Sequence, residues 1–470
     1  MKNKKILIVL KYASFYSYCE SIIKELEKEN DLILCIQQEN KINSIRYCID
    51  TSLNLLFQKN INNDEILNLV DGSRNIKIVE GINRKGKWVK ILRNIRETLN
   101  YLSFLLRGDE NTFSKVQSKY ISNKIIRLIK LLKFKPLLKV LFLLLKLINN
   151  IIPTDKGINS FIKNINPDIV LIVGANWPTR NKQLSSEIDF IKSSNKLNKL
   201  SILHVISWDN LIARGLYHYK PSLFFVWNRK HFDEAVEIHK MPKKIVKIIG
   251  APLMDKWFND IKIKPKNLFF NSIGLDADKP LVTYLGSARN ISKNEKIIVE
   301  EIYSKLNQKG IQLIVRPHGA NTDQFENLNH EIKMIPQRGE LPDTDISKEL
   351  MVETIRYSDF TVGINTTAMI DSIILGTPTI AIIKEEYNQN QILTPHFNKV
   401  LQEGIFINIS DEKNILKKIS EFNGKEKKFI TIKMNEFVKN FCRPYGLNIS
   451  AGKKAYDEIN LLINNQFGKD

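Results

Sequence analysis

Short runs of four to six apolar residues recur along the chain, and longer stretches with apolar residues at helical spacing separate them. This alternation is typical of buried parallel strands joined by crossover helices. One series of strands is predicted at Lys5–Leu10, Asp31–Ile36, Ile169–Val173, Ser201–Val205, Leu223–Trp227 and Ile245–Ile249. A second series is predicted at Leu281–Leu285, Ile311–Val315, Phe360–Val362, Thr379–Ile383 and Gly404–Asn408. The sequence therefore predicts two α/β domains.

A polar stretch separates the two series and is interpreted as an interdomain linker. It runs from Trp257 to Pro280 and contains Pro265 and Gly274, the residue types that interrupt helices and strands. The predicted boundary divides the chain into an N-terminal domain, 1–264, and a C-terminal domain, 265–470. A length of 470 residues suits two or three domains.

The chain is strongly basic, with 71 Lys and Arg against 50 Asp and Glu, a net charge of +21. This excess predicts an anionic partner: nucleic acid, a membrane surface or a phosphorylated substrate. The four cysteines form no C-x-x-C pair and the seven histidines are scattered, so no disulfide framework and no metal site are predicted. The apolar run Ile6–Leu10 is too short for a signal peptide, which predicts a cytoplasmic location.

One segment, residues 120–153, combines apolar residues at helical spacing with an excess of positive charge. It has no acidic residue and seven basic ones, namely Lys124, Arg127, Lys130, Lys133, Lys135, Lys139 and Lys146. Such a segment is expected to lie on the surface of an anionic membrane, which would place the protein on its cytoplasmic face. The alternative is a pair of helices that cover the core, broken at Pro136, with solvated lysines.

The C-terminal domain contains the clearest local pattern, Asp359 to Pro378, in which a strand, a glycine and small polar residues precede a helix. The free N–H groups and hydroxyls at the start of that helix are expected to bind phosphate, with Asn365, Thr366 and Thr367 as the contacts. Asp371, further along the helix, is a candidate partner for a ribose. The alternative is that Asn365 or Thr366 only caps the helix.

Two other strands of this domain end in residues suited to the same ligand. Arg316 and His318 follow one strand, and Gly286, Ser287 and Arg289 follow another. Ligands of open α/β sheets bind at the carboxyl ends of parallel strands. These residues are therefore predicted to complete a diphosphate site, although each loop alone is equally compatible with an ordinary turn.

In the N-terminal domain, the loop Ser207–Asn210 follows a predicted strand. Asp209 is the first candidate for a general base, and Trp208 and Asn210 beside it are candidate acceptor contacts. Glu20, early in the first helix, is the second candidate base. An N-cap is the alternative for Asp209. Gly250 suits a close approach of backbone to a ligand or a plain strand-to-helix turn.

Several motifs in their order resemble bacterial glycosyltransferases of the GT-B class. They are the W-D-N at 208–210, V-W-N at 226–228, G-A-P at 250–252, R-P-H at 316–318 and G-I-N-T-T-A at 363–368. The surface-polysaccharide and CDP-glycerol glycerophosphotransferase-like members are the most similar. The resemblance covers Pro167 to Gly376 and a closing segment, Phe441 to Gly446. Gly319 stands where many relatives have proline, and Thr366 or Thr367 where they have serine.

This resemblance implies two Rossmann-like domains with parallel sheets facing a central cleft. It also implies a nucleotide-sugar donor bound mainly by the C-terminal domain, a glycan or lipid-linked acceptor on the N-terminal domain, and no obligatory metal or other cofactor. The expected reaction is an inverting sugar transfer, with a retaining outcome left open. A UDP-sugar 2-epimerase, a CDP-glycerol-type transferase and a non-catalytic membrane- or nucleic-acid-binding protein are the alternatives. The basic segment lacks the aromatic interleaving expected for nucleic acid.

Overall fold

The computed structural model describes residues 3–37, 75–109, 121–132, 134–176, 184, 186–259, 261–319, 321–337, 342 and 344–467. Two residues of the basic segment, Tyr120 and Lys133, lie outside these ranges. The described residues form two compact units, each built on its own parallel sheet. The first unit contains the described residues up to Asp255 and those from Phe441 onward, and the second contains Lys256 to Asn440.

Seven parallel strands form the sheet of the first unit in the order β3-β2-β1-β4-β5-β6-β7. They are β1 Lys5–Leu10, β2 Asp31–Ile36, β3 Ile76–Glu80, β4 Ile169–Val173, β5 Leu200–His204, β6 Leu223–Val226 and β7 Val246–Ile248. The central strands β1, β4 and β5 are buried on both faces apart from the first residue of β1. This burial is the reason that their sequences read as continuous apolar runs.

Helices cover this sheet. They are α1 Glu20–Leu26, α2 Trp88–Arg107, α3 Asn123–Leu131, α4 Lys135–Ile151, α5 Lys156–Ile165, α6 Glu187–Lys196, α7 Asn210–Ala213, α8 Arg229–Glu237 and, from the end of the chain, α16 Ala451–Phe467. Helices α5 and α6 pack on the sheet through Ile158, Ile162, Ile188 and Ile191. Helix α4 packs instead on α2, in a separate cluster that includes Leu102 and Leu138.

The second unit has six parallel strands in the order β10-β9-β8-β11-β12-β13. They are β8 Leu281–Leu285, β9 Gln312–Arg316, β10 Lys333–Met334, β11 Phe360–Gly363, β12 Thr379–Ile382 and β13 Phe406–Ile409. Its helices are α9 Lys266–Ile273, α10 Lys296–Asn307, α11 Asp345–Arg356, α12 Thr367–Ile374, α13 Pro395–Leu401, α14 Ile415–Glu421 and α15 Gly424–Phe441. The prediction of two α/β units with parallel sheets is thus confirmed.

Every predicted strand is present, with ends that differ by no more than two residues, and two strands were missed. Strand β3 is only half-buried, and β10 has two residues, so neither produces an apolar run. The structure also divides the chain differently from the predicted boundary after residue 264. The first unit ends at Asp255, and the chain returns to that unit at Phe441, so the described residues from Phe441 onward do not belong with 265–440.

The return of the chain explains Gly250 and its neighbours. Gly250 has φ +94°, and a Cβ added there would lie 2.7 Å from the carbonyl oxygen of Cys442. The buried Asp255 pairs with Arg443 at 3.0 Å and accepts the N–H groups of Ala451 and Gly452, the first residues of α16. Gly250 and Asp255 therefore hold the C-terminal segment of the chain. The close approach predicted between Gly250 and a ligand is instead an approach to the backbone of Cys442.

A buried ion network lies between α2 and α6 in the first unit. The carboxylate of Asp189 accepts from Arg96 at 2.8 and 3.1 Å and from Arg84 at 3.2 Å. Arg96 also contacts Asn149 of α4 and the hydroxyl of Tyr219. Because two arginines share one carboxylate in the interior, removal of that carboxylate would leave two buried charges.

The described helices include none that is both long and apolar enough to cross a membrane singly. Helices α4 and α5 meet the length and composition criteria only when taken together, with a bend of 53° between them.

Candidate functional site

The second sheet has a topological switch point at its centre. The chain runs outward from β8 to β9 and β10 on one side, and then from β11 to β12 and β13 on the other. The strand order therefore reverses between the adjacent strands β8 and β11, and ligands of such sheets bind outside the carboxyl ends of the strands at this point. Gly286 and Ser287 follow β8, and Asn365 and Thr366 follow β11, so the predicted residues flank the switch point.

The loops after β8, β9 and β11 are hydrogen-bonded to one another. The N–H of Gly286 donates to the carbonyl of Arg316 at 2.9 Å. A Cβ at Gly286 would lie 3.0 Å from the amide nitrogen of His318, so glycine permits this close approach. The fully buried hydroxyl of Ser287 accepts the N–H of Asn365 at 3.4 Å. The three strand ends singled out from sequence are thus brought together, with Ser287 acting as a link between loops.

Glu295, which the sequence analysis missed, supports this arrangement. Its buried carboxylate accepts the N–H of Ser287 at 3.0 and 3.1 Å and the hydroxyl of Tyr284 at 2.7 Å. Burial raises the pKa of Glu295 to about 7, against the lowering effect of its hydrogen bonds. An acidic residue before a helix is ordinarily solvated, so nothing in the local sequence signalled that this one is buried.

Replacement of Glu295 by glutamine is expected to become less destabilising, relative to wild type, as the pH rises from 5 to 8. A carboxyl group whose folded-state pKa is raised favours folding at low pH and loses that contribution as the pH rises through about 7. The difference in unfolding free energy between Glu295→Gln and wild type should shift by on the order of 2 kcal/mol in favour of the variant. Urea denaturation at both pH values measures this shift.

The matched control is Glu300→Gln, which changes an exposed carboxylate on the same helix α10. Its difference from wild type should stay constant between the two pH values within the error of the measurement. An equal shift in both variants would contradict the assignment to Glu295.

Helix α12 begins without a side-chain cap. Thr366 occupies the N-cap position with extended backbone, φ −151°, yet its side chain accepts no hydrogen bond from any described N–H of the first turn. The amide of Asn365 is turned away and donates to the carbonyl of Asn390. The capping alternative therefore does not apply to either residue. Thr366 and Thr367 are half-buried and lie at a helix N-terminus, where the helix dipole favours an anion.

Asp371 lies on this helix and is buried. Burial raises the pKa of Asp371 to about 6, against the lowering effects of the Lys256 charge, of a hydrogen bond from Trp257 and of the charge of the buried Arg316, which ends β9. The indole N–H of Trp257 donates to Oδ1 of Asp371 at 2.8 Å. Trp257 therefore occupies one carboxylate oxygen of Asp371, the predicted partner of a ribose. The predicted contact with a ribose now concerns the other oxygen, Oδ2.

The other two predicted donor contacts are more exposed. His318 is half-buried, two residues beyond Arg316. Arg289 forms an ion pair with Asp323, and both side chains are at least one-third exposed. Arg289 is thus already neutralised at the outer edge of the site, whereas Arg316 carries its charge in the interior.

In the first unit, Asp209 lies in the loop after β5 and contacts two polar side chains. Its carboxylate accepts the hydroxyl of Ser207 at 2.6 Å and lies 3.3 Å from Arg214. Asp209 precedes the short helix α7, but its side chain caps none of the described N–H groups there. Ser207 and Arg214 thus fix the position of the Asp209 carboxylate.

Asn210 and Trp208, the predicted acceptor contacts, are both buried in the loop that carries Asp209. Asn210 is fully buried, and its side-chain oxygen accepts the N–H of Ser207 at 3.0 Å. Trp208 is also buried, and its carbonyl accepts from Nε2 of His231 at 3.1 Å. These hydrogen bonds fix the loop that carries Asp209, and the contact of the two residues with an acceptor stays a prediction.

Glu20, the second candidate base, opens α1 and pairs with Lys24 at 2.7 Å. The loop before it is tied to β5, because Nε2 of His204 donates to the carbonyl of Tyr18 at 3.1 Å. Burial lowers the pKa of His204 to about 4, which keeps this imidazole neutral. Glu20 and Asp209 therefore both follow strands at the carboxyl edge of the first sheet.

No protein-family model matches the sequence, and a search of curated proteins gives no match. Solved structures match nearly the whole chain. A UDP-GlcNAc 2-epimerase from Neisseria meningitidis bound to UDP-GlcNAc is 11 % identical with a TM-score of 0.52, over 97 % of this chain and 99 % of the other. A glycosyltransferase from Rickettsia africae is 11 % identical with a TM-score of 0.52, over 100 % of both chains.

The co-structure of MnaA with UDP from S. aureus is similar in the same way. It is 11 % identical, with a TM-score of 0.51 over 98 % of this chain and 97 % of the other. At such identities the likeness concerns the fold. Together with the two parallel sheets, these matches show that the chain has the GT-B fold, with two Rossmann-like domains.

Proposed function

We propose that the protein is a metal-independent glycosyltransferase that uses a nucleotide-sugar donor. The observation that carries this proposal is the start of α12, which no Thr366 side-chain bond caps, at the switch point of the second sheet and near the buried Arg316. A helix N-terminus and a guanidinium together suit a diphosphate, the group that every nucleoside-diphosphate sugar contains. The UDP-containing structures of the same fold support a nucleotide as the ligand.

In this proposal the second unit stabilises the leaving nucleotide. Negative charge accumulates on the phosphate as the bond to the anomeric carbon breaks. Arg316, His318, the hydroxyl of Thr366 and the first N–H groups of α12 would counter that charge, which is the part a metal ion has in other enzymes. The pre-formed links among the three loops keep these groups in place before the donor binds.

The first unit would supply the base. The carboxylate of Asp209 takes the proton of the acceptor hydroxyl while that oxygen attacks the anomeric carbon from the face opposite the leaving phosphate. Ser207 and Arg214 orient the carboxylate. The product sugar then has inverted configuration. The proposed acceptor is a cell-surface polysaccharide or a lipid-linked glycan.

A UDP-sugar 2-epimerase is the second candidate, since the matched structures include UDP-GlcNAc 2-epimerases. An epimerase needs no acceptor, so the two functions are separated by incubation with each nucleotide sugar alone. Conversion of the sugar detected by NMR without any acceptor would establish the epimerase. A CDP-glycerol-type transferase would instead consume CDP-glycerol.

The experiment that tests the proposal begins with thermal-shift measurements against CMP, CDP, UDP, GDP and dTDP. A nucleotide that binds only the folded protein raises its melting temperature. The corresponding nucleotide sugars are then incubated with glycan acceptors, with and without EDTA, and release of the nucleotide is measured. Stabilisation by none of the nucleotides would contradict the proposed site, and abolition of turnover by EDTA would contradict metal independence.

Alanine at Arg316 or His318 is expected to weaken binding of the nucleotide identified in that screen. Loss of a charge-assisted hydrogen bond to phosphate costs about 1.5–3 kcal/mol, roughly a 10- to 150-fold rise in Kd for Arg316→Ala. Isothermal titration calorimetry measures it. Arg356→Ala is the matched control, because that exposed arginine ends α11, which leads to the opposite edge of the sheet. Unchanged nucleotide affinity in both Arg316→Ala and His318→Ala would contradict the proposed diphosphate site.

A further inference from the structure

Helix α4 presents a continuous apolar face to solvent. Seven of its aliphatic side chains are between 45 and 70 % exposed, namely Leu137, Val140, Leu143, Leu144, Leu147, Ile148 and Ile151. The opposite face packs on α2 through Leu138, Leu141, Phe142 and Leu145. The helix has 17 residues, which corresponds to a length of about 25 Å. Single exposed leucines are ordinary, but a strip of this length marks a surface that contacts an apolar partner.

Positive charges border this strip. Lys135, Lys139 and Lys146 fall on one flank of α4, between its exposed and packed faces, by their helical spacing. Burial lowers the pKa of Lys146, and the nearby positive charges of Lys220 and Lys240 lower it further. Neither α3 nor α4 contains an acidic residue. The border of the strip is therefore suited to an anionic partner and would repel a second copy of itself.

The helix is fixed in its position by polar contacts at its C-terminal end. Nζ of Lys192 donates to the carbonyls of Asn149 at 3.2 Å and of Asn150 at 2.8 Å. Arg96, a member of the buried ion network, donates to Oδ1 of Asn149 at 3.2 Å. A helix attached in this way presents its exposed face as a rigid surface, so the apolar strip is a feature of the folded unit.

The neighbouring helix α5 argues against a membrane-spanning role for α4. Helix α5 follows α4 after a sharp bend, and its Ile158 and Ile162 are fully buried in the core of the first unit. Because α5 is held in that core, the bent pair cannot cross a bilayer. Helix α4 is placed to lie in the plane of a membrane surface, with its aliphatic strip among the upper acyl chains and its lysines at the headgroups.

We propose that α4 is a docking surface that inserts its aliphatic strip into the interfacial region of an anionic lipid bilayer. An apolar strip with a basic border and no acid combines the two attractions that hold a monotopic helix on such a bilayer. We favour a bilayer over a protein partner with an acidic groove, because all seven exposed side chains of the strip are aliphatic. This inference does not depend on the proposed function, since membrane binding requires no nucleotide.

The test is co-sedimentation of the full-length protein with vesicles of phosphatidylcholine and phosphatidylglycerol in equal amounts. Wild type should bind, and a measurable part of the binding should persist at about 0.5 M NaCl, where screening removes most of the charge attraction but not apolar insertion. Leu144→Gln/Leu147→Gln should lower the lipid partition coefficient by about tenfold or more. Lys135→Glu/Lys139→Glu should lower it strongly at low salt.

The matched control is Phe429→Gln/Ile432→Gln on α15, which removes two apolar side chains of similar exposure at the same helical spacing. This variant should bind vesicles like wild type. Circular dichroism melting checks that every variant is folded, and the single variant Ile151→Gln replaces the double one if that variant is not. Absence of wild-type binding, or equal binding by the strip and control variants, would overturn the proposal. The proposal would also be overturned if light scattering showed that the wild type is a dimer and that Leu144→Gln/Leu147→Gln is a monomer.

Discussion

Replacement of Asp209 by asparagine is expected to lower turnover by about 10²–10⁴ and to leave nucleotide affinity unchanged. The amide has nearly the same shape as the carboxylate but cannot accept the proton of the acceptor hydroxyl. Asp209 lies in the first unit and the predicted nucleotide contacts lie in the second, so the two measurements report on different residues. Steady-state kinetics with the donor found in the nucleotide screen gives the turnover, and calorimetry gives the affinity.

A matched control separates loss of the base from loss of an ion pair. Asp233 pairs with Arg229 at 3.0 Å in the same unit, as Asp209 pairs with Arg214 at 3.3 Å. Asp233→Asn should therefore retain turnover near that of wild type. If Asp209→Asn also retains it, the base lies elsewhere, and Glu20→Gln is the next variant to measure. If both asparagine variants lose turnover equally, the effect comes from folding and the assignment of Asp209 fails.

Asp189→Asn is expected to destabilise the first unit by about 3–5 kcal/mol, because it leaves Arg84 and Arg96 buried without their shared counter-charge. Asp189 is 1 % exposed, so water cannot replace the lost partner. Denaturation in urea measures the change in unfolding free energy. Hydrogen exchange should also become faster at the C-terminal end of α4, where Arg96 and Lys192 hold Asn149 and its neighbours.

The control for this prediction is again Asp233→Asn, whose ion pair on α8 is exposed. An exposed pair at i,i+4 spacing contributes about 0.3–0.5 kcal/mol, so the control should remain close to wild type. A loss in Asp189→Asn as small as that of the control would show that the network contributes no more than a surface pair. Faster exchange throughout the unit, rather than at α4, would contradict the anchoring of that helix.

The strands were predictable from sequence because parallel strands that are buried on both faces require continuous apolar runs. Strand β1 and strand β8 match their predicted bounds residue for residue. Strand β3 was missed because its side chains are only half-buried, so its composition did not have to be apolar. The prediction of the elements thus failed at two of the four edge strands, the half-buried β3 and the two-residue β10.

The candidate nucleotide site was predictable in part for a related reason. In a parallel sheet, the residues after each strand fall on one edge whatever the details of the helices, which brought Gly286, Arg316 and Thr366 together. The pattern did not reveal which of these side chains face a ligand. Ser287 proved to be a buried link between loops, and Asn210 in the first unit proved to be a buried support.

The sequence by itself determined two α/β units, the strand ends where polar residues gather, and the amphipathic basic character of α4. These properties depend on local periodicity and on the geometry common to all parallel sheets. Only the tertiary structure decided that the chain returns to the first unit at Phe441, that Glu295 and Asp189 are buried, and that α4 packs on α2 and leaves its aliphatic strip exposed. Those features arise from contacts between residues distant in sequence, whose partners no local pattern specifies.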